Sequence, residues 1–358
     1  VEPWVTLCYG NPIYPRGGDA AAKSPLPSSP EALGAWDRFV GAFVERYGEY
    51  VDEWEVWNEP HHQSITVESY AAFLIRTAET VRSKQPGARI LAMSNAGVGR
   101  DFTDKVLAVL EAQGKLHLVN EVTYHPYSKN PDSVYKSVLG MRAELAERAE
   151  HITLRQGENG CPSQRSTKAL GSYDWSELTQ AKWALRRLLG DLGRDIPSSY
   201  FSIIDMHYAE DGINRKGLLF SSDDQTVGHE KQAYRGVQHL TAIFDDSLQR
   251  IEEYPYDQTE PRHLSVFGYR HKTTGGQIVT IWLDSNTPTD SNSCKPVSFT
   301  FSKGRFSDPV YVDLRTGAVR EIPGDQWNIS NDGCSFTDIP VYDSPILIAE
   351  RSQVLPKE

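Results

Sequence analysis

The chain has 358 residues, with 37 Lys and Arg against 48 Asp and Glu and a formal net charge of −11. That balance argues against nucleic acid as a partner, because phosphate contacts need concentrated Lys and Arg. No run of 18 apolar residues exists to span a membrane, and the length accommodates a barrel-sized unit plus a smaller domain.

The first predicted element is a buried strand over residues 4–9, ended by Gly10-Asn11-Pro12. A Gly/Pro/Ser-rich loop follows to about residue 29, long enough to suggest a functional loop. Ser29-Pro30-Glu31 is a helix start, a capping residue followed by proline at the first helical position. Trp36, Phe39, Val40, Phe43 and Val44 recur at helical spacing to about residue 48.

Residues 53–60, Glu-Trp-Glu-Val-Trp-Asn-Glu-Pro, read as a central strand that stops at a polar pair, Asn58-Glu59, closed by Pro60. A helix over 67–84 is capped by Thr66. Strands are predicted at 89–94, 119–127, 151–156 and 199–206, and helices at 101–113, 131–149, 174–192 and 229–244. Six strand–helix repeats with continuous rather than alternating hydrophobicity in the strands indicate parallel α/β architecture.

From about residue 247 the pattern changes to short β-rich runs at 263–269, 277–283, 296–302, 309–313, 318–322 and 344–349. Turns such as Thr274-Gly275-Gly276 and Thr316-Gly317 separate them. The expectation is an α/β domain over 1–246 and an all-β sandwich over 247–358. The cysteines Cys8, Cys161, Cys294 and Cys334 lack metal-ligand spacing, so no metal site is expected. Cys294 and Cys334 either pair or remain free thiols.

Two predicted strands end in a glutamate inside a polar cluster. One is Trp57-Asn58-Glu59-Pro60 and the other Gly157-Glu158-Asn159-Gly160. In a parallel barrel both tips point to the same rim, where such enzymes keep their chemistry. Two opposed carboxylates are what glycosidic cleavage needs, one protonated to donate to the leaving oxygen and one ionised to attack the anomeric carbon. The structural alternative is that a strand-terminal Glu merely caps a helix or salt-bridges on the rim.

These two motifs, about a hundred residues apart, resemble the paired motifs of the clan A retaining glycoside hydrolases on (β/α)8 barrels. The layout of barrel followed by β-sandwich resembles the β-xylosidase/α-L-iduronidase branch. His125-Pro126-Tyr127 and Lys231-Gln232-Ala233-Tyr234 extend the likeness. The resemblance implies a retaining O-glycoside hydrolase acting by double displacement without a cofactor. Glu59 would be the acid/base, Glu158 the nucleophile, and Asn58 the partner of the sugar 2-hydroxyl.

It also implies that residues 5–9 form barrel strand three and 199–206 strand eight, so the first two β/α units are unaccounted for in this chain. The expectation is that the chain is an N-terminally incomplete piece of the barrel, or that the missing part comes from another chain. A Trp common at the end of strand eight is replaced here by Ile203-Ile204-Asp205-Met206-His207-Tyr208. Asp205 and His207 are candidate sugar ligands, unless Asp205 only orients His207.

Tyr9, Asn11, His125, Tyr127 and Trp175 complete the candidate substrate-binding set, each with a structural role as the alternative. The expected partner is a glycoside, oligosaccharide or polysaccharide, and the expected location secreted or periplasmic. A non-catalytic carbohydrate-binding protein on a degenerate glycosidase scaffold is the competing function.

Overall fold

The computed structural model describes residues 2–21, 23–63, 65–208, 212–259 and 263–354. They fall into two compact units, Val1–Pro126 with Val134–Glu158, and Tyr127–Ser133 with Asn159–Glu358.

The first unit alternates strand and helix: β1 (Trp4–Leu7), α1 (Pro30–Tyr47), β2 (Glu53–Val56), α2 (Val67–Lys84), β3 (Arg89–Ala96), α3 (Arg100–Ala112), β4 (Glu121–His125), α4 (Tyr135–Arg148) and β5 (Thr153–Gln156). The strands form one parallel sheet in chain order, β1-β2-β3-β4-β5. Chain-order pairing with helical crossovers is the expected outcome for strands buried on both faces.

The predicted caps are present. The Ser29 hydroxyl accepts from the Ala32 N–H, and Thr66 Oγ1 accepts from the Ser69 N–H. The stripe that α1 buries is Ala32, Trp36, Val40, Gly41 and Val44. Trp36 Nε1 donates to Thr77 Oγ1 of α2 at 2.9 Å. Phe39, expected on this face, is instead 46% exposed and stacks on Phe43, because it falls on the border of the 36/40/44 stripe.

The second unit contains α5 (Glu177–Leu192), the hairpins β6 (Met206–Tyr208)–β7 (Gly212–Asn214) and β8 (Leu219–Ser221)–β9 (Val227–Glu230), and α6 (Gln232–Ile243). Ten strands follow: β10 (Leu248–Arg250), β11 (Tyr256–Gln258), β12 (Leu264–His271), β13 (Gln277–Leu283), β14 (Lys295–Phe301), β15 (Pro309–Asp313), β16 (Ala318–Glu321), β17 (Trp327–Ser330), β18 (Gly333–Val341) and β19 (Ile346–Glu350). They make two antiparallel sheets, β10-β12-β13-β19-β15-β16 and β11-β14-β18-β17. Val279 and Ile281 of β13 share a core with Val297, Phe299 and Phe301 of β14 and with Phe336 and Ile339 of β18. The intervening residues of β13, Ile278 and Trp282, pack on the opposite side with Leu185 and Leu189 of α5 and Leu240 of α6. The period-2 alternation of a strand therefore serves two cores at once.

That second core is why the compact units divide elsewhere than at 246/247. Helices α5 and α6 cover the six-stranded sheet and belong to its unit. The expected strand over 199–206 is also corrected. Residues 202–205 bond to 217–219, with Leu218 N–H donating to Ser202 O, Leu219 N–H to Ile203 O and Asp205 N–H to Leu219 O. Ile203 is 62% exposed, which a central parallel strand does not permit. Among the described residues no closed barrel forms, and the parallel sheet ends at β1 and β5. All four cysteines are free, with Cys334 buried and Cys294 exposed.

Phe301 is fully buried and stacks on Phe299 with ring centroids 5.5 Å apart. Phe301→Ala should lower unfolding free energy by about 3–5 kcal/mol through lost transfer energy and the cavity left behind. Denaturant unfolding followed by tryptophan fluorescence measures it, and a loss under about 1 kcal/mol would contradict this account of the core.

Candidate active site

The tip of β2 is shaped by two non-glycine residues in the left-handed region, Trp57 (φ 68°) and Glu59 (φ 47°). Such residues cost of order 1–3 kcal/mol each and persist only where packing over-determines them. Packing does so here. Trp57 is fully buried, meeting Tyr9, Trp36 and Phe73 edge-on at 5.7, 5.9 and 5.5 Å. Its N–H continues the ladder to Leu7 O at 3.1 Å. The Glu59 N–H then crosses to Ser94 O of β3 at 3.1 Å.

Glu158 follows β5 directly. The Gly157 N–H donates to Tyr124 O at 3.0 Å, so the strand stays in register up to the residue before it. A Cβ at Gly157 would lie 3.3 Å from Thr123 Cβ and 3.4 Å from His125 Nε2, so glycine here leaves His125 its space.

His125, at the end of β4 and 2% exposed, joins the two glutamates. Its Nδ1 lies 3.0 Å from Glu59 Oε1 and 3.8 Å from Glu158 Oε2. Those two distances bound the separation of the carboxyl oxygens to about 7 Å. Both glutamates keep about a quarter of their side chains exposed, enough for solvent or a ligand to reach them. The other ring nitrogen, Nε2, lies 3.0 Å from Ser94 Oγ. The Ser94 hydroxyl reaches Asn58 Oδ1 at 3.3 Å, and Asn58 Nδ2 donates to Tyr9 Oη at 2.9 Å. Glu59, Asn58, His125, Glu158 and Tyr9 are thus brought together. His125 touches Glu59 more closely than Glu158.

Two members of the cluster were not anticipated. Ser94 is one, and Glu55 the other. Glu55 lies buried on β2, its Oε2 accepting from Thr6 Oγ1 at 2.7 Å and its Oε1 accepting from the Thr123 hydroxyl. A Glu on a strand of otherwise apolar and aromatic residues is the signal that could have found it, since a buried carboxyl demands partners. Burial raises the Glu55 carboxyl above its ordinary value, against the pull of His125 and of the Thr123 and Thr6 hydroxyls. Burial pulls the His125 imidazole down, but the Glu59 hydrogen bond and the charges of Glu158, Glu55 and Glu59 outweigh it and hold the ring above 6.5. Tyr9 is raised by burial first, then by the charges of Cys8, Glu158 and Glu59, which keeps its hydroxyl protonated.

The remaining candidates have other partners. Asn11 is exposed and uses Oδ1 to accept from the Ile13 N–H, a local turn. Tyr127, Trp175, Asp205 and His207 belong to the second unit. There Tyr127 lies beneath the Lys216 ammonium, 5.4 Å from its ring centre. Trp175 is buried against Cys161 and Trp183, and its indole N–H donates to Leu170 O at 2.7 Å. This is a packing role, the structural alternative for this residue. Asp205 is wholly buried and accepts from Lys231 Nζ at 2.6 Å, the Gly217 N–H at 3.0 Å and Arg215 at 3.2 Å. It neutralises two buried cations instead of orienting His207, whose Nε2 pairs with Ser221 Oγ at 2.9 Å.

No family profile matches the chain, and no curated protein matches it in sequence. Solved structures do match. A family 39 glycoside hydrolase from the gut symbiont Bacteroides cellulosilyticus WH2 superposes with a TM-score of 0.68 at 16% identity, covering 98% of this chain and 68% of that one. The GH39 enzyme from Xanthomonas axonopodis pv. citri gives 0.56 at 14% identity over 93% of this chain and 77% of that one. A monomeric β-xylosidase from Caulobacter crescentus CB15 gives 0.53 at 16% identity over 88% and 74%. The chain therefore shares the α/β fold of the GH39 glycoside hydrolases, and at these identities the likeness speaks for the fold.

The raised imidazole of His125 has a thermodynamic consequence. A histidine whose folded value lies above its unfolded one contributes stability that is fully present below the unfolded value and lost as pH rises through the folded one. His125→Asn should therefore cost most stability below pH 6.5 and progressively less above it, as judged by denaturant midpoints across pH. A constant cost across pH would contradict the charge on this ring. In the second unit, Asp205→Ala strips the counter-charge from buried Lys231 and Arg215 and should cost about 3–5 kcal/mol. Unfolding curves within about 1 kcal/mol of wild type would show that these cations have other compensation.

Proposed function

We propose that this chain carries the catalytic pair of a retaining O-glycoside hydrolase, with Glu59 as acid/base and Glu158 as nucleophile. The observation that carries the reading is the pair itself: two partly exposed carboxyls at the tips of parallel strands, bridged by one imidazole and within about 7 Å of each other. Retaining enzymes use about 5–5.5 Å, and that bound leaves out most of the 6.5–9.5 Å inverting range. Strands β1–β5 are read as barrel strands three to seven, and the two antiparallel sheets that share a core as a β-sandwich.

In this mechanism Glu158 attacks the anomeric carbon as Glu59 protonates the departing oxygen, and a glycosyl-enzyme ester forms on Glu158. The aglycone leaves. Glu59, now ionised, takes a proton from water, which attacks the same carbon and returns the sugar with its configuration retained. His125 Nδ1 lies 3.0 Å from Glu59 Oε1 and holds that carboxyl in place. Asn58 is positioned beside Glu59 by its bonds to Ser94 and Tyr9, where an amide can meet a sugar hydroxyl. The bond-making and bond-breaking steps need only these two carboxyls and water. A carbohydrate-binding role without catalysis makes no use of so close a carboxyl pair, and the geometry favours the enzyme.

The test uses a panel of aryl glycosides, beginning with β-xylosides because one structural neighbour is a β-xylosidase. A 2-deoxy-2-fluoro glycoside of the sugar that is cleaved should label Glu158, located by peptide mass spectrometry. Glu59→Ala should slow hydrolysis of a poorly activated substrate by roughly 10²–10⁴-fold, with azide accelerating turnover of an activated one. A label on another residue, or an inverted product by NMR, would sink the assignment.

A further inference from the structure

Ser94 sits where the β3–β4 ladder is interrupted. The register shifts between Ala92 and Asn95, and Met93 (φ 79°) and Ser94 (φ 41°) are both left-handed. A bulge of this kind re-aims a side chain and is characteristic of strand ends beside reactive sites. Every polar group of Ser94 is used. Its N–H donates to Thr123 Oγ1 at 3.0 Å, and that hydroxyl in turn donates to Glu55 beneath. Its carbonyl accepts the Glu59 N–H at 3.1 Å. Its hydroxyl meets His125 Nε2 at 3.0 Å and Asn58 Oδ1 at 3.3 Å. It is fully buried, so no solvent replaces these partners.

We propose that Ser94 is a positioning residue that holds Glu59 from both ends, by its carbonyl on the Glu59 backbone and by its hydroxyl through His125 on the Glu59 carboxyl; its catalytic meaning rests on Glu59 being the acid/base. The Ser94 hydroxyl serves either charge state of the ring. When the ring is an imidazolium, the Ser94 oxygen accepts from His125 Nε2–H and its proton goes to Asn58 Oδ1, while Nδ1–H serves Glu59. The charged groups facing the ring are Glu55 and Glu59, from β2 and its tip, and Glu158, from the tip of β5. Each favours this state while it is ionised, Glu59 once it has given its proton to the leaving oxygen. Without the Ser94 hydroxyl, Nε2–H is buried with no acceptor from that side, and the ring loses a reason to stay protonated and a fixed orientation.

Ser94→Ala and Ser94→Gly remove the hydroxyl, while glycine also relieves the left-handed backbone. Ser94→Thr restores a hydroxyl but adds a β-branch that this backbone opposes. Both hydroxyl-free variants should lose kcat by on the order of 10–100-fold with KM little changed, because Glu59 is misaimed rather than removed. Ser94→Gly should melt above Ser94→Ala, because glycine relieves the left-handed backbone while both lose the hydroxyl. Ser94→Thr should melt lower yet recover part of kcat. In ¹⁵N-histidine spectra the His125 titration midpoint should fall in the Ala and Gly variants and return towards wild type in Thr. An unchanged His125 midpoint in both hydroxyl-free variants, or wild-type kcat in Ser94→Gly, would overturn the proposal. If the wild-type protein cleaves no glycoside, the glycosidase reading fails, and the His125 titration still decides the Ser94 contact in either direction.

Discussion

The arrangement of the first unit depends on the crossing between β2 and β3, where the Glu59 N–H binds Ser94 O. Parallel strands normally exchange ladder bonds until they end. Here the ladder stops, both chains turn left-handed, and one bond ties the turned segments together. Of the four left-handed residues, Met93 is fixed by Tyr70, whose hydroxyl accepts the Met93 N–H at 2.8 Å and donates to Val56 O at 2.9 Å. Trp57 is fixed by its aromatic neighbours. Backbone strain at these tips is thus supported by core packing beneath them, a common means of holding reactive groups in one pose.

The polar interior beneath the tips follows from that geometry. Glu55, Thr123 and Thr6 occupy positions where a parallel sheet usually carries aliphatic residues. Their hydrogen bonds satisfy one another and the bulged Ser94 N–H, so the polar groups there are paired. A carboxyl raised by burial and an imidazole raised by three carboxyls stand within one connected set. Titratable groups displaced in this way cluster at functional sites.

In the second unit the same economy appears in apolar form. β13 faces one core with Val279 and Ile281 and another with Ile278 and Trp282. The six-stranded sheet is therefore covered on both faces, by the four-stranded sheet's side chains and by α5 and α6. Asp205 shows how a residue that looks like a sugar ligand on a strand can serve structure instead. Once Lys231 and Arg215 are buried, a counter-charge is obligatory.

The sequence by itself determined the strand–helix alternation of residues 4–156, the caps at Ser29 and Thr66, and most of the antiparallel strands after 263. These follow from local periodicity and capping chemistry, which act over a few residues. It also marked Glu59 and Glu158 as candidates, because each sits in a short polar cluster at a strand end. Strands β17 and β18 and the true partner of residues 202–205 were not legible: β17 is a polar edge strand that reads like an extended loop, and the apolar pattern of the inner strand β18 is broken by Asp338 and Pro340. Ser94 and Glu55 were hidden for a related reason. The bonds that define them join residues from 29 to 68 positions apart, and the bulge that aims Ser94 exists only where β3 and β4 lie side by side. Chain-local propensity marks where a strand ends, whereas only the packed sheet decides which hydrogen-bond partners meet there.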